Sequence, residues 1–240
     1  MQFDPRTVAR DIPGIFDEIF PQLTPGIVAY FNDHSVTFPY TPVPPTLLEA
    51  SKIQRAMLFE FGYAVAENLL KENSIDWENC FKVALLRQRL FYDAKLPASL
   101  GEIDRTIAEI IGRNLSKALQ EHSVLKNEPL VCRPLIAGLE WISTGRGDFA
   151  AGRSLIEVKC TNKRFSASDY RQVAIYWLLS YAASIEQHGD EWRDFILLNP
   201  RLGFKVAYDF DKFLSVISSG RTKVEILQIF MALVGSRVNR

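Results

Sequence analysis

The run Leu155-Ile156-Glu157-Val158-Lys159-Cys160 sets a carboxylate and an ammonium two residues apart in an otherwise apolar stretch. Along a strand, side chains alternate faces with a period of two. Glu157 and Lys159 therefore share one face, and Ile156, Val158 and Cys160 share the other. Charges in the middle of such a strand are costly unless they pair or bind something. Eight residues separate Asp148 from Glu157, and Ala151-Gly152-Arg153 within that interval reads as a turn. A hairpin of that length brings Asp148 across from Glu157 on the adjacent strand. Two hard carboxylate oxygens and a nearby main-chain carbonyl suit Mg²⁺ or Mn²⁺, which retain waters for a substrate phosphate. The chemistry implied is metal-assisted hydrolysis. The ion lowers the pKa of a bound water and neutralises charge building on the phosphate, while Lys159 orients that water or stabilises the transition state. The plainer alternative is a Glu–Lys pair on one strand face, with Asp148 closing a turn. D-x-n-E-x-K is short and its gap is elastic.

The next helix adds to the pattern. Ser166-Ala167-Ser168-Asp169 begins a helix that runs to about residue 187, and Gln172 and Tyr176, four apart, share one face of it. Gly147-Asp148, Ile156-Glu157-Val158-Lys159 and Gln172-Val173-Ala174-Ile175-Tyr176 together resemble the G-x-x-D/P-D, E-x-K and Q-x-x-x-Y series of the PD-(D/E)XK nuclease superfamily. That superfamily includes many restriction enzymes, phage-type exonucleases, junction resolvases and the nuclease domains of recombination machines. The resemblance covers residues 130–210, about a third of the chain. It implies a restriction-endonuclease-like αβββαβ core with a mixed central sheet. It also implies Mg²⁺-dependent hydrolysis of phosphodiester bonds, with DNA as the expected substrate, in repair, restriction or phage defence. Asp148 and Glu157 would then be metal ligands and Lys159 the water-positioning base. Gln172 would touch the water or the scissile phosphate, and Tyr176 would buttress the site. Such folds often add an acidic residue from an upstream helix. Glu60 and Glu67, seven apart and so on one helical face, are the candidates, although Glu67 with Lys71 also reads as an ordinary surface pair. Gly147 stands where the name-giving proline would be and the hairpin is short, which leaves the subfamily open.

The elements that must hold these side chains follow from periodicity. Thr46-Leu47-Leu48-Glu49 has capping-box form. The stripe Ile53, Met57, Phe61, Val65 and Leu69 then predicts a helix ending near residue 73. A second capping box, Ser99-Leu100-Gly101-Glu102, opens a helix carrying Ile103, Ile107, Ile111, Leu115 and Leu119. A third helix falls between them, over 77–92. Beyond Pro129, segments within 130–143, 148–150 and 155–160 predict a three-stranded meander. A strand at 195–198, the turn Asn199-Pro200-Arg201, a strand at 204–208 and helices near 212–217 and 222–234 complete the chain. The order is helices, three strands, helix, strand pair, helices, an α/β (α+β) pattern that matches the core implied by the resemblance. Residues 1–45 are rich in proline and predict an extended arm packed over the surface. The expected organisation is thus an arm at 1–45, a helical region packed on the core at 46–128, and the core with C-terminal helices at 129–240.

Composition narrows the partners. The 240 residues are 48% apolar, enough for a sizeable core. Lys plus Arg and Asp plus Glu each total 28. That balance argues against a coat of positive charge but allows a local basic groove. Arg146, Arg153, Lys163, Arg164 and Arg171 cluster in sequence around the proposed site, as a phosphate-binding rim or simply as a solvated loop face. Cys80, Cys132 and Cys160 stand far apart with no C-x-x-C pair, which speaks against a disulfide framework and for a reducing cytoplasm. The N-terminal stretch lacks the apolar run of a secretory signal, and no window suits a membrane helix. His34, His122 and His188 are isolated. No Walker A loop and no dinucleotide G-x-G-x-x-G is present. A second class of function is a catalytically silent nuclease-fold module that binds nucleic acid or a protein partner. Its helical half would be the docking surface, toward a homodimer or a partner ATPase or helicase. DNA against RNA, and endo- against exonuclease action, reside in loop geometry.

Overall fold

The computed structural model describes residues 2–72, 74–89 and 94–236. Three short helices open the chain, α1 (Pro5–Asp11), α2 (Gly14–Ile19) and α3 (Pro25–Asp33), before a two-residue strand, β1 (Val36–Thr37). Four helices follow: α4 (Pro45–Ala50), α5 (Arg55–Leu69), α6 (Trp77–Gln88) and α7 (Glu102–Lys126). The strands β2 (Leu130–Cys132), β3 (Leu135–Ile136), β4 (Gly145–Arg146), β5 (Phe149–Ala151) and β6 (Ser154–Val158) lead into α8 (Ala167–Ile185). Two longer strands, β7 (Asp194–Asn199) and β8 (Phe204–Asp209), precede α9 (Phe210–Ile217) and α10 (Lys223–Ser236).

The central sheet is mixed and six-stranded, in the order β1-β8-β7-β6-β5-β2. β6 and β7 run parallel and are joined through α8, while the other neighbours pair antiparallel. β3 and β4 form a separate two-stranded ribbon. The protein is therefore an α/β fold. The alternation along β6 decides its layers. Leu155 joins Phe195, Leu197 and Val206 on the face covered by α8 and by helices from both termini. Ile156 and Val158 join Phe149, Ile196 and Leu198 on the other face, against Ala66 of α5 and Leu115, Ala118 and Leu119 of α7. α8 is hydrophobic almost all round because it is sandwiched. Val173, Ala174, Ile175 and Trp177 are fully buried, and each large apolar side chain so buried stabilises the fold by roughly 1.5–3 kcal/mol.

Three features differ from the sequence reading. Residues 5–33 carry three short helices rather than an extended arm, and Val8, Ile15, Phe16, Ile19 and Phe31 are core residues. The expected helix from Thr46 is broken. α4 ends at Ala50, Ser51 turns aside to donate from Oγ to Asp104 Oδ1 at 2.7 Å, and α5 begins only at Arg55. The cap of α7 is Gly101 rather than Ser99, with Asp104 accepting from the Gly101 N–H at 3.1 Å. Residues 73 and 90–93, near the expected ends of two helices, lie outside the described residues. Among those described, no helix is long and apolar enough to cross a membrane, and all three cysteines are free.

Candidate active site

The hairpin register sets the acid pair. Phe149 faces Ile156, so Asp148 comes opposite Glu157 just beyond the last ladder pair. The Asp148 carboxylate folds onto the neighbouring strand, where Oδ2 accepts from the Val158 N–H at 2.9 Å. Lys159 extends β6 along β7, its own N–H donating to Leu198 O at 2.8 Å. The three groups thus meet at the carboxyl end of a parallel strand, the edge at which open α/β sheets place their ligands.

α8 supplies the clamp. Its cap is as the sequence suggests: the Ser166 N–H and Oγ both donate to Asp169 Oδ2, at 2.7 and 2.8 Å. One turn on, Gln172 Oε1 accepts from Lys159 Nζ at 2.6 Å. Gln172 Nε2 donates to Glu157 Oε1 at 2.5 Å and to the Tyr176 hydroxyl at 2.9 Å. Gln172 is buried and its amide is engaged at both ends, so it holds Glu157 and Lys159 in place and does not line the cleft, contrary to the expectation that it faces water or phosphate. Tyr176, also buried, lies behind it and accepts from its amide.

One group in this cluster was not foreseen from sequence. Arg6, on α1, donates from Nη2 to Asp148 Oδ1 at 2.7 Å and from Nε to the Tyr176 hydroxyl at 2.9 Å. The same Nη2 lies 3.6 Å from Glu157 Oε1. Tyr63 of α5 approaches from the opposite layer and donates to Val158 O at 2.6 Å.

The electrostatics of the two acids diverge. Burial pushes Glu157 up, and the Asp148 charge beside it adds to this, taking the group to about 7 against the pull of Lys159 and Arg6. Burial also disfavours the Asp148 anion, but Arg6, Lys159 and the Val158 N–H outweigh it and hold Asp148 below the usual carboxylate range. Glu157 Oε2 is buried and accepts no N–H, and the two carboxyls share a hydrogen bond when Glu157 holds its proton. A pair of carboxyls close enough to share a proton fits a hard divalent cation in the proton's place. Among the described residues no group of three or more His, Cys, Asp and Glu side chains could hold a metal. An ion here would rest on Asp148 and Glu157 and complete its shell with water and substrate oxygens, as Mg²⁺ does.

These groups open into a cleft of about 720 Å³ between the sheet edge, α1 and α5. Glu60 and Glu67 line it but are drawn to Arg87 of α6, at 3.2 and 2.6 Å, rather than to the acid pair. Of the basic residues near the site in sequence, Arg146, Lys163 and Arg164 line the cleft. Arg153 and Arg171 do not. Arg153 donates to Glu191 O at 2.7 Å at the far end of the hairpin, and the Nε of Arg171 is buried on α8. Arg10 and Arg133 line the wall instead. Cys160 also borders the cleft, but burial pushes its thiol up to about 12, so no thiolate nucleophile is on offer. No protein-family model, curated protein or solved structure matches the chain.

Proposed function

We propose that the protein is a Mg²⁺-dependent phosphodiester hydrolase of the PD-(D/E)XK type, with a restriction-endonuclease-like core and DNA as substrate. The observation that carries this reading is the meeting of Asp148, Glu157 and Lys159 at the end of β6, within one hydrogen-bonded cluster that opens into a cleft with basic walls. Asp148 and Glu157 would hold the ion. When bound, Mg²⁺ or Mn²⁺ would supply a more acidic water and offset charge on the phosphate. The chain's own groups do the rest. Lys159 Nζ, fixed by Gln172 Oε1 and 3.2 Å from Glu157 Oε1, is a donor aimed at the mouth of the acid pair, suited to orienting an attacking water. Arg146, Lys163 and Arg164 line the wall along which a phosphate backbone would run.

The test is incubation of the purified protein with duplex DNA, single-stranded DNA and RNA in Mg²⁺ or Mn²⁺, with EDTA as control, beside the Lys159→Ala variant. DNA should be cut only with metal. Lys159→Ala should lose turnover while keeping metal affinity, since it removes no ligand. A Lys159→Ala protein that cuts at the wild-type rate would make Lys159 structural. A second reading, a silent module that binds nucleic acid or a protein partner, draws on Arg6, whose guanidinium already neutralises the acid pair. Retention of DNA without cleavage under every metal condition would favour it.

A further inference from the structure

Helix α1 reaches the acid pair through Arg6. The helix is firmly seated: the Asp4 side chain caps it by accepting from the Arg6 N–H at 2.8 Å, and Val8 and Ala9 are buried in the core against α8. The guanidinium is held at one corner by Nε on the Tyr176 hydroxyl and at another by Nη2 on Asp148, while Nη1 makes neither contact. The Arg6 side chain is 43% exposed, against 14% for Asp148 and 2% for Glu157. Without metal the guanidinium offsets the buried charge of Asp148 and Glu157. Its planar fork also faces the cleft, where it matches two oxygens of a phosphate.

Resting on the hydrolase reading above, we propose that Arg6 is a catalytic residue of this site: it yields Asp148 to the cation and turns its freed Nη groups onto a non-bridging oxygen of the scissile phosphate, pivoting on the Nε–Tyr176 hydrogen bond. Without metal, Arg6 supplies the positive charge between two close carboxylates. With metal that charge is redundant at Asp148, while the incoming phosphate brings new negative charge to the same few ångströms. The Tyr176 contact survives the exchange because Tyr176 ligates nothing, and it limits the guanidinium to a swing rather than a departure. Tyr176 is on this view a positioning residue for Arg6, and Gln172 in turn positions Tyr176.

The test compares wild type, Arg6→Ala, Arg6→Gln and Arg6→Lys, with circular dichroism and thermal melting to select the variants that fold. Mn²⁺ affinity is read by electron paramagnetic resonance without substrate, and single-turnover cleavage of DNA at saturating Mn²⁺. Arg6→Ala or Arg6→Gln should bind Mn²⁺ about tenfold more tightly, because the competitor for Asp148 is gone. Each should nevertheless cleave on the order of a hundredfold more slowly, as for loss of one transition-state donor. Millimolar guanidinium should restore part of the Arg6→Ala rate where urea does not, and Arg6→Lys should fall between wild type and alanine. A folded Arg6→Ala or Arg6→Gln enzyme that cleaves at the wild-type rate, or binds Mn²⁺ no more tightly, would overturn the inference and leave the hydrolase reading standing. A wild type that cleaves no nucleic acid with any metal would instead remove the hydrolase reading, and the phosphate role of Arg6 with it.

Discussion

At the scale of single residues, the chemistry turns on what burial does to Glu157. Its folded state holds a proton up to about pH 7, whereas the unfolded chain releases it near 4.5. Between those values the native state binds more protons, so this group's contribution to stability falls as pH rises. Replacing it by a neutral isostere should reverse that loss. Glu157→Gln is expected to melt a few degrees above wild type at pH 8 and level with it at pH 5, when both are followed by thermal unfolding without metal. Mg²⁺ should raise the melting point of wild type and leave Glu157→Gln unchanged. Gln172 belongs to the same account. Its amide touches Lys159, Glu157 and Tyr176 and no cleft surface. Gln172→Ala should therefore lower stability by about 1–3 kcal/mol, as unpaired buried partners do, and slow cleavage roughly tenfold to hundredfold. Chemical denaturation and turnover at saturating Mg²⁺ measure the two effects, and an unchanged melting curve would mean that the amide is not holding these groups. The types and spacing of Asp148, Glu157, Lys159 and Gln172 made them readable as a group. Which way the Gln172 amide faces was not readable, since helical spacing fixes a face and not the partner waiting there.

At the scale of elements, the N-terminal segment shows why proline misleads. The proline content of residues 1–45 argued for an extended arm, yet Pro5 and Pro25 each sit in the first turn of a helix, after Asp4 and Thr24, which cap α1 and α3. A proline in that position loses no helical hydrogen bond. The Asp-Pro and Thr-Pro pairs were the available signal. No local pattern, however, links Arg6 to an aspartate 142 residues away, and only the folded chain reveals that contact. Another element-level constraint lies where α5 crosses α7. A Cβ on Gly112 would come within 2.5 Å of Val65 Cγ1 and 3.1 Å of Gly62 O, and a Cβ on Gly62 within 2.7 Å of Ile111 Cγ2. Two glycines let the helices approach that closely. Gly112→Ala should push them apart at about 1–3 kcal/mol, seen as a drop in melting temperature. Cleavage should fall as well, because Glu60, Tyr63 and Glu67 line the cleft from α5. An alanine variant with wild-type stability would show that the crossing is looser than these distances say.

At the scale of the whole molecule, the even charge balance hides a polarised surface. Among the described residues, eight Lys and Arg side chains line the cleft against five carboxylates, in a chain whose totals are equal. Sequence proximity was a poor guide to who belongs to that lining. Arg153 is four residues from Glu157, but along a strand that is about 13 Å, enough to put it at the opposite end of the hairpin. Arg171 adjoins Gln172, but one residue along a helix turns a side chain about 100° away. The α/β class and the order of strands around α8 were legible from periodicity; the walls of the cleft were not, because α1, α5 and α6 come to it from distant parts of the chain. If phosphate contacts are made there, Arg146→Ala and Lys163→Ala should each weaken DNA binding across sequences and lower the slope of log affinity against log salt by about one. Arg153→Ala should leave both unchanged. Fluorescence anisotropy over a salt series separates the two cases.

The central claim is that Asp148 and Glu157 hold a cation that makes this cleft hydrolytic, and one measurement addresses it most directly. Single-turnover cleavage of duplex DNA is followed at saturating Mg²⁺ for wild type and Asp148→Asn, both shown to be folded by thermal melting, with and without EDTA. Wild type should cut only when Mg²⁺ is present, and Asp148→Asn, which keeps the shape but not the charge, should not cut at all. Cleavage by Asp148→Asn at the wild-type rate, or wild-type cleavage that persists in EDTA, would contradict it.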